Sequence, residues 1–403
     1  MMTPPEQSQG PLPLAGIRVV EFCHMVMGPT CGMILADLGA DVIKVEPLHG
    51  DTTRRLQHQG AGFFASYNRN KRSIALDLKS PQGFEAAKRL TQAADVVIEN
   101  LRPGALNGLG LGYADISTDN PGLIYCALKG FLNGPYAHRK ALDEVVQMMG
   151  GLAYMTGPEG RPLRAGASVI DIMGGMFGVI AIQAALRERE RTGLGQEVAS
   201  ALYETTVHCV AQHMMQYAAT DVPTGPMPDR PRAWAVYDIF ETSDGESLFV
   251  GIVSDTQWKL FCDAFKRDDL LADDTLATNN GRFEARDRIM PMLRELFGAM
   301  SRDELMSSCD EIGLPFAPIT KPHELFDDPH LNQSGNLLDI TLPNGTKTRI
   351  PGLPIEMAGR RTGIRHDLPK TGEQGADILK EAGFSESEIA AMFETGAILT
   401  PDN

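Results

Sequence analysis

Asp171 lies near the start of an apolar stretch with a helical pattern, "SVIDIMGGMFGVIAIQAAL". This position raises two hypotheses about its role. An aspartate at a helix start commonly caps the helix, because its carboxylate accepts from free backbone N–H groups and faces the positive end of the dipole. Small residues crowd the acid on both sides and indicate that something approaches it closely; they are Gly166, Ala167, Gly174 and Gly175. Asp171 is therefore a candidate helix cap or a candidate reacting acid, and this stretch alone leaves both open.

Basic residues recur near the ends of predicted strands and in loops in the first half of the chain. They are Lys71, Arg72, Lys79, Arg102, Lys129, Arg139 and Lys140. Each one alone is typical of a solvated surface charge, but a cluster on a protein of net charge −15 indicates a local site for a polyanion. A nucleotide phosphate is such a ligand. The overall negative charge disfavours a general nucleic-acid surface.

Buried strands that alternate with helices must position these residues. Apolar runs predict strands at 17–22, 40–46, 94–100 and 122–131, and amphipathic or capped patterns predict helices at 28–39 and 81–93. This alternation predicts an α/β fold with a doubly wound, mostly parallel, Rossmann-like sheet. In such a sheet the ligand binds beyond the carboxyl ends of the strands.

Composition bounds the class of protein. With 403 residues, 43% of them apolar and 22% charged, the chain can bury a large core and form two or three domains. The N terminus lacks the pattern of a secretion signal, and the apolar run after Asp171 ends too soon for a membrane span, so we expect a cytoplasmic protein without membrane contact. The six cysteines are scattered without a CxxC or Cys/His cluster, which favours reduced thiols and predicts no metal site.

Changes in composition along the chain predict its domains. Residues 1–203 are the N-terminal part of a large domain, 204–231 a linker helix and a Pro-rich linker, and 232–322 a smaller α+β domain. Residues 323–403 are a return linker and the C-terminal part of the large domain. This last segment carries an Asn-Gly hairpin turn and a final helix opened by a Ser-x-x-Glu capping box.

A nucleotide-type sheet also raises the hypothesis of a dinucleotide cofactor. Glu46 closes the second strand, where a ribose-binding acid stands in NAD-binding folds. The first turn reads "CHMVMGPTCGM", however, and lacks the G-x-G-x-x-G pattern that lets the backbone approach a pyrophosphate. NAD is therefore a minor alternative, and no tightly bound cofactor is expected.

Several long phrases, in order along the chain, resemble the family III CoA-transferases. They are "PLAGIRVVEF", "GPTCGMILADLGADVIKVEP", "NKRSIALDLK", "ADVVIENLRPGAL", "NPGLIYCALKGF", "RERERTGLGQEV" and "GEQGADILKEAGFSESEIAAM". The resemblance implies a large domain built from both chain ends, an interlocked homodimer, and acyl-CoA and a small organic acid as substrates. It also implies that Asp171 is the nucleophile, which would form an aspartyl anhydride and then an aspartyl-CoA thioester.

The resemblance further implies which residues contact CoA: Val26, Met27, Leu76, Lys79, Asn100, Leu101, Arg102, Arg139, Lys140, Ala141 and Leu142. Gly174 and Gly175 lack side chains and are expected to allow close approach of the reacting oxyanions, although in part they relieve packing. Pro47 and Gly108 replace the arginines that flank the adenosine in formyl-CoA transferase. The glycine-rich loop of that enzyme is also absent, so oxalate is not the expected acid.

The sequence resembles more closely the members of this family that move CoA from succinyl-CoA to a small dicarboxylic or similar acid, such as mesaconate, citramalate or a sulfinic analogue. Two alternatives stay open. The 2-methylacyl-CoA racemases of the same family pair the aspartate with a histidine, and "KALDEV" places Leu142 at that position. A non-catalytic acyl-CoA binding protein would keep the basic residues but would tolerate the loss of Asp171.

Overall fold

The computed structural model describes residues 10–229, 233–359 and 361–399, and the chain divides into two compact units. The first unit holds the chain up to residue 229 together with the chain from residue 332, and the second unit is the segment between them. Both ends of the described chain therefore contribute to one unit. The divisions fall after residues 229 and 331, whereas the sequence predicted a linker over 204–231 and a smaller domain over 232–322.

The first unit is built on a six-stranded sheet in which every pair of neighbouring strands is parallel. The strand order is β3-β2-β1-β4-β5-β6. The strands are β1 (Arg18–Phe22), β2 (Asp41–Glu46), β3 (Lys71–Ala75), β4 (Val96–Glu99), β5 (Ile124–Lys129) and β6 (Glu197–Ala201). The direction of winding reverses between β1 and β4, and such a switch point forms a crevice at the carboxyl ends of the strands.

Helices and short 3₁₀ turns connect the strands of the first unit. The helices are α1 (Met27–Asp37), α2 (Phe63–Tyr67), α3 (Pro81–Gln92), α4 (Tyr113–Ile116), α5 (Asp143–Met149), α6 (Leu152–Thr156), α7 (Val169–Thr192) and α8 (Leu202–Thr220). The 3₁₀ turns are Thr52–Arg55, His58–Gly60 and Asn107–Leu109. The helix predicted as a linker is α8, which packs against α5, α6 and α7 within the first unit.

The second unit has a three-stranded antiparallel sheet in the order β7-β8-β9. Its strands are β7 (Val236–Glu241), β8 (Ser247–Ile252) and β9 (Phe316–Pro318). Its helices are α9 (Asp255–Ala264), α10 (Asp268–Leu271), α11 (Asn279–Glu284), α12 (Arg286–Gly298) and α13 (Arg302–Ile312), with 3₁₀ turns at Asp274–Leu276 and Pro322–Asp327. Aromatic side chains centred on Phe240, Phe261 and Phe297 form its core.

The remaining elements are α14 (Pro329–Gln333), β10 (Leu337–Thr341), β11 (Lys347–Pro351), α15 (Gly375–Glu381) and α16 (Glu386–Glu394). Strands β10 and β11 pair antiparallel around the predicted Asn-Gly turn, in which Gly345 takes a φ of 84° that favours glycine. The Ser385 hydroxyl caps α16 and Glu388 returns to the backbone of Ser385. The structure therefore confirms both the hairpin and the capping box.

The central strands bury both faces, so successive residues belong to two different cores. Val19 of β1 packs with α1 and α7, whereas its neighbour Val20 packs with α3, α15 and α16. Burial on both faces explains why these strands read as continuous apolar runs rather than as alternating patterns. The six-stranded α/β sheet confirms the predicted class of the larger sheet, while β3 and β6 were not predicted as strands.

Helix α7 is long and apolar enough, by length and composition, to cross a membrane. From the sequence, the apolar run after Asp171 was expected to be too short for a span. In the structure α7 packs against α1, β5 and β6, and one of its faces is buried in a core of the first unit. A core helix passes the same test of length and composition, so this one helix is weak evidence for a membrane span.

Candidate active site

A cleft of about 710 Å³ opens at the carboxyl ends of β1, β2, β3 and β4. It lies at the switch point of the sheet, where doubly wound folds bind their ligands. Its lining is mainly apolar, with a few charged and polar groups: Phe22, Cys23, His24, Val45, Glu46, Pro47, Leu48, His49, Asp51, Thr52, Leu76, Asp77, Leu78, Lys79 and Leu101. An apolar crevice with a few polar groups is typical of a site for an elongated organic ligand.

The turn between β1 and α1 forms part of this cleft and is held by two side chains from neighbouring strands. Asn100 accepts from the N–H of His24 at 2.9 Å and donates to the carbonyl of His24 at 2.8 Å. The Lys44 ammonium donates to the carbonyl of Cys23 at 2.8 Å. Met25 has a φ of 64°, a conformation that costs free energy for a non-glycine residue. These hydrogen bonds hold the strained turn in place.

A fully buried ionic cluster lies beneath the same strand ends. Lys71 pairs with Glu21 at 2.8 Å, and Lys44 pairs with Glu21 at 3.3 Å and with Asp51 at 2.9 Å. Burial disfavours the charge of Lys44, but Glu21 and Asp51 outweigh it and raise the pKa of Lys44. Lys71 is part of this buried cluster. Its predicted role in binding a polyanion was wrong, because its ammonium group is completely buried.

Arg72 also has a structural role, since it forms ion pairs with Asp41 at 2.6 Å and with Glu381 of α15 at 2.9 Å. Glu46, the acid considered for a ribose, accepts from Arg54 at 2.6 Å and from the Ser73 hydroxyl at 2.6 Å. These bonds use one of its two carboxylate oxygens, and Arg54 and the N–H of Asp51 use the other. The arrangement does not favour the dinucleotide hypothesis.

Asp171 stands in the first turn of α7, three residues after Ser168, but it does not cap the helix. The cap comes from Asp143 at the start of α5, whose Oδ2 accepts from the N–H of Ile170 at 2.9 Å and from the N–H of Asp171 at 3.1 Å. Among the hydrogen bonds of the described residues, none is accepted by the carboxylate of Asp171 itself. The cap hypothesis for Asp171 was therefore wrong, because its carboxylate accepts no hydrogen bond among the described residues.

The environment of Asp171 disfavours its charged form. Burial, together with the nearby charge of Asp143, raises the pKa of Asp171 to about 7, while Arg164 acts in the opposite direction. A carboxylate that is poorly solvated is more reactive towards an electrophile than one in water. A pKa raised by burial and by a like charge makes Asp171 a candidate functional residue.

Asp143 is itself fixed by residues that precede α7. The Gln147 side chain donates to Oδ1 of Asp143 at 2.6 Å and accepts from the N–H of Ala165 at 2.9 Å. The Arg164 guanidinium lies 3.6 Å from Oδ1 of Asp143. This network ties the loop before α7 to α5, so it sets the position of the first turn that carries Asp171.

Gly174 and Gly175 are buried against α1, one turn along α7 from Asp171. A Cβ at Gly174 would lie 2.7 Å from Cε of Met27, and one at Gly175 would lie 2.7 Å from the carbonyl oxygen of Met27. Inside the helix their N–H groups bond to the carbonyls four residues earlier and are not free donors. We therefore assign both glycines to close packing of two helices rather than to oxyanion stabilisation.

The family model of CoA-transferase family III matches residues 14–375. This chain belongs to that family. The transferase is 35% identical to the succinate–glutarate CoA-transferase of Agrobacterium fabrum, over 92% of this chain and 95% of that protein. It is 32% identical to the succinyl-CoA:mesaconate CoA-transferase of Haloarcula hispanica, over 92% and 96% respectively. A solved structure of a CAIB/BAIF family protein from Brucella suis matches with a TM-score of 0.83 and 36% identity, over 93% of this chain and all of that one.

The residues expected to contact CoA are not all in the cleft of the transferase. Leu76, Lys79 and Leu101 line it. Val26 is buried in the turn beside it, Met27 is buried at the start of α1, and Asn100 holds the backbone of that turn. Arg102, Arg139, Lys140 and Ala141 lie outside the lining, with the Arg139 guanidinium stacked on the ring of Tyr136. Pro47 lies in the cleft and Gly108 does not.

Several cleft residues of the transferase were missed by the sequence analysis, notably His24, His49, Thr52 and Leu78. They follow the ends of β1, β2 and β3 within six residues, so the rule that ligands bind beyond strand ends would have pointed to them. The first two strands were predicted. After the third strand, Leu76 and Lys79 were expected from the resemblance, but Leu78 was not, and β3 was not recognised as a strand because it begins with Lys71 and Arg72.

Leu142 bears on the racemase alternative. Its side chain is 65% exposed, and a leucine has no group that can carry a proton. The structure therefore offers no partner at this position for the proton transfer that a racemase performs at the α-carbon. Among the described residues, no group of three or more His, Cys, Asp or Glu side chains is arranged as a metal site.

Proposed function

We propose that this CoA-transferase moves CoA from succinyl-CoA to a small dicarboxylic acid. Two of its relatives support the class of acid, since one is named for succinate and glutarate and another for succinyl-CoA and mesaconate. Both are about one third identical to this chain over nearly its full length. The cytoplasm as its location stays a prediction.

In the proposed reaction, the carboxylate of Asp171 attacks the thioester carbon of the acyl-CoA. The carbon–sulfur bond breaks, CoA leaves as a thiolate, and the acyl group remains on Asp171 as a mixed anhydride. The thiolate then attacks the Asp171 carbonyl carbon of that anhydride. This step releases the first acid as a carboxylate and leaves CoA on Asp171 as a thioester.

The acceptor acid completes the cycle through the same bonds in reverse. Its carboxylate attacks the aspartyl-CoA thioester, which releases the CoA thiolate and forms a new mixed anhydride. The thiolate attacks the acyl carbon of this anhydride, so that the product acyl-CoA leaves and Asp171 is free again. No proton has to be transferred in any step. A dry site is needed instead, because water would hydrolyse the anhydride.

One observation carries the proposal, namely that Asp143 caps α7 and leaves the carboxylate of Asp171 without a hydrogen-bond partner among the described residues. A purely structural aspartate at a helix start would itself accept these N–H groups. Here Asp143 accepts them instead. Besides burial, the charge of Asp143 disfavours ionisation of Asp171. An arrangement that destabilises a carboxylate in this way is typical of a catalytic group.

The reaction is tested by trapping the acyl-enzyme. Incubation with succinyl-CoA followed by hydroxylamine should modify one residue, and peptide mass spectrometry should locate the modification at Asp171. Initial rates with succinyl-CoA and glutarate should also follow ping-pong kinetics. Modification of another residue would contradict the proposal. Exchange of the substrate's α-hydrogen with deuterated water, without a trapped intermediate, would instead support a racemase.

We further propose that the cleft at the strand ends binds CoA and that Lys79 at its rim contacts a phosphate. Replacing Lys79 by Ala should weaken CoA binding by roughly 1 to 2 kcal/mol at low salt, because a charge-assisted contact is lost, and less at high salt, where exposed charges are screened. Titration calorimetry at two salt concentrations measures this. The matched control is Lys88→Ala, an exposed lysine of α3 outside the cleft lining. Equal affinities for both variants would show that Lys79 is an ordinary surface charge.

An interlocked homodimer also remains a proposal, which an uncovered apolar surface supports. Helices α5, α7 and α8 pack side by side and expose large apolar side chains: Val145, Met148, Met176, Ile180, Met214 and Met215. Monomeric proteins rarely expose such a surface to water. Light scattering at micromolar concentration should therefore give the mass of a dimer, and dilution should hardly dissociate it. A monomer under these conditions would contradict the proposal.

A further inference from the structure

Two hydrogen-bond donors close to Asp171 have no role in the steps described above. The first is the guanidinium group of Arg164, seven residues before Asp171 on the loop that leads into α7. The second is the hydroxyl group of Tyr67, the last residue of α2. The Arg164 guanidinium lies 3.6 Å from Oδ1 of Asp143, whose Oδ2 accepts from the N–H of Asp171. Burial raises the pKa of Tyr67, and the charges of Asp171 and Asp143 raise it further, so this side chain lies within electrostatic range of both acids.

Arg164 is held in place while its outer nitrogens keep their hydrogen-bonding capacity. Its Nε donates to the carbonyl of Ala165 at 3.0 Å, which fixes the stem of the side chain. Its two Nη atoms lie 3.6 Å from Asp143 and 3.8 Å from Glu144, and these separations exceed the length of a hydrogen bond. The side chain is one quarter exposed. A carboxylate that binds both Nη atoms therefore displaces no hydrogen bond, and it shares the guanidinium with the ion pairs to Asp143 and Glu144.

Tyr67 is positioned by a rigid segment that immediately follows it. Arg69 pairs with Asp37 of α1 at 2.7 Å, and the Lys71 ammonium donates at 2.9 Å to the carbonyl of Pro29 in the first turn of α1. That turn packs directly on Gly174 and Gly175 of α7. The position of Tyr67 is thus fixed relative to α1, and through α1 relative to the start of α7. Its hydroxyl has no hydrogen bond within the described chain.

The charges around the nucleophile create a problem for a dicarboxylic acid. Asp143, Glu144 and Asp171 all lie near the start of α7, and each repels an incoming anion when ionised. A dicarboxylate brings a second negative charge that takes no part in the chemistry. Arg164 is the cation that opposes this negative field at Asp171. An arginine is well suited to the task, because its planar fork binds a carboxylate through two parallel hydrogen bonds.

We propose that Arg164 and Tyr67 form a subsite for the carboxylate of the substrate that does not react. Arg164 binds it through its Nη atoms, and the Tyr67 hydroxyl donates a further hydrogen bond. This inference rests on the proposed function, because it assumes that Asp171 accepts the acyl group. The succinyl group of the donor and the acceptor acid occupy the same place in turn, so one subsite serves both half-reactions.

The test compares two acceptors of equal chain length, glutarate and pentanoate, which differ by one carboxylate. In ping-pong kinetics, kcat/KM for the acceptor reports only the second half-reaction, so effects on succinyl-CoA do not interfere. The ratio of kcat/KM for glutarate to that for pentanoate should fall about 10- to 100-fold in Arg164→Gln, as expected for loss of a charge-assisted bond. It should fall less in Arg164→Lys, which keeps the charge but not the fork, and about 2- to 10-fold in Tyr67→Phe.

Arg161→Gln is the matched control, since Arg161 is an exposed arginine on the same loop without an ion pair among the described residues. The ratio should stay at its wild-type value in this variant. If Arg164→Gln lowers kcat/KM equally for both acids, the residue only supports Asp143 and the subsite is refuted. An unchanged ratio would refute it as well. Failure of the proposed function is a separate result, because wild-type protein would then give no trapped intermediate at Asp171.

Discussion

The Asp171→Asn variant should fold, bind acyl-CoA and transfer no CoA, with kcat lower by about 10⁴-fold or more. An amide cannot form the anhydride and return the acid, so the covalent route is lost. The fold should survive because Asp143, and not Asp171, accepts the N–H groups at the start of α7. Transfer from succinyl-CoA to glutarate, followed by chromatography of the CoA esters, measures the loss.

Asp143→Asn provides the matched control for this experiment. Its amide oxygen can still accept the N–H groups of Ile170 and Asp171, so transfer should continue. The pH dependence should change, however. In the wild type, kcat/KM for succinyl-CoA should fall below about pH 7, because only ionised Asp171 attacks, and removing the charge of Asp143 should shift this limb to lower pH. Full activity in Asp171→Asn would contradict the proposal that Asp171 is the nucleophile.

The same Asp171→Asn variant should be more stable than the wild type above pH 7. The folded protein holds the pKa of Asp171 at about 7, against an ordinary value of 3.8, so ionising this group costs more in the folded than in the unfolded state. The cost is absent below about pH 4, grows as the pH rises towards 7, and is constant above it. Roughly three pH units at 1.36 kcal/mol each give an upper value of about 4 kcal/mol.

Urea unfolding of the two proteins at pH 4, 6 and 8 measures this difference. The free energies of unfolding should nearly coincide at pH 4, and the variant should be more stable by about 2 to 4 kcal/mol at pH 8. Asp303→Asn is a suitable control, because its side chain is 86% exposed and its stability should not follow this pattern. An Asp171→Asn protein that is less stable at pH 8 would show that the carboxylate makes a stabilising contact.

The sequence alone was sufficient to predict the elements that have a clear local pattern of apolar, turn or capping residues. Continuous apolar runs identified β1, β2, β4 and β5, and turn and capping signals identified the β10–β11 hairpin and α16. Two strands of the six-stranded sheet were not predicted. The first, β3, begins with a lysine that is buried only because Glu21 on another strand neutralises it. The second, β6, is a short edge strand of small and polar residues, "EVASA".

The sequence also placed an unusual acid at the start of α7, and the resemblance to a family assigned it a role. Whether Asp171 caps that helix was decided only by the tertiary structure, since the residue that takes over the cap lies 28 positions earlier in the chain. Local propensity is the same for both uses of an aspartate. The difference arises from a neighbour that folding brings to the helix end.

The same reason explains why some of the predicted cations and glycines have structural roles while others line the cleft. Lys71 and Lys79 stand eight positions apart and read alike in the sequence, yet one is buried against Glu21 and the other lines the cleft. Gly174 and Gly175 are explained by the first turn of α1, about 150 residues away in the chain. Residue type and spacing determined which elements form and which groups are chemically capable. The partners of each charge and each small residue come from distant segments, so only the packed structure decided which groups remain free to bind and react.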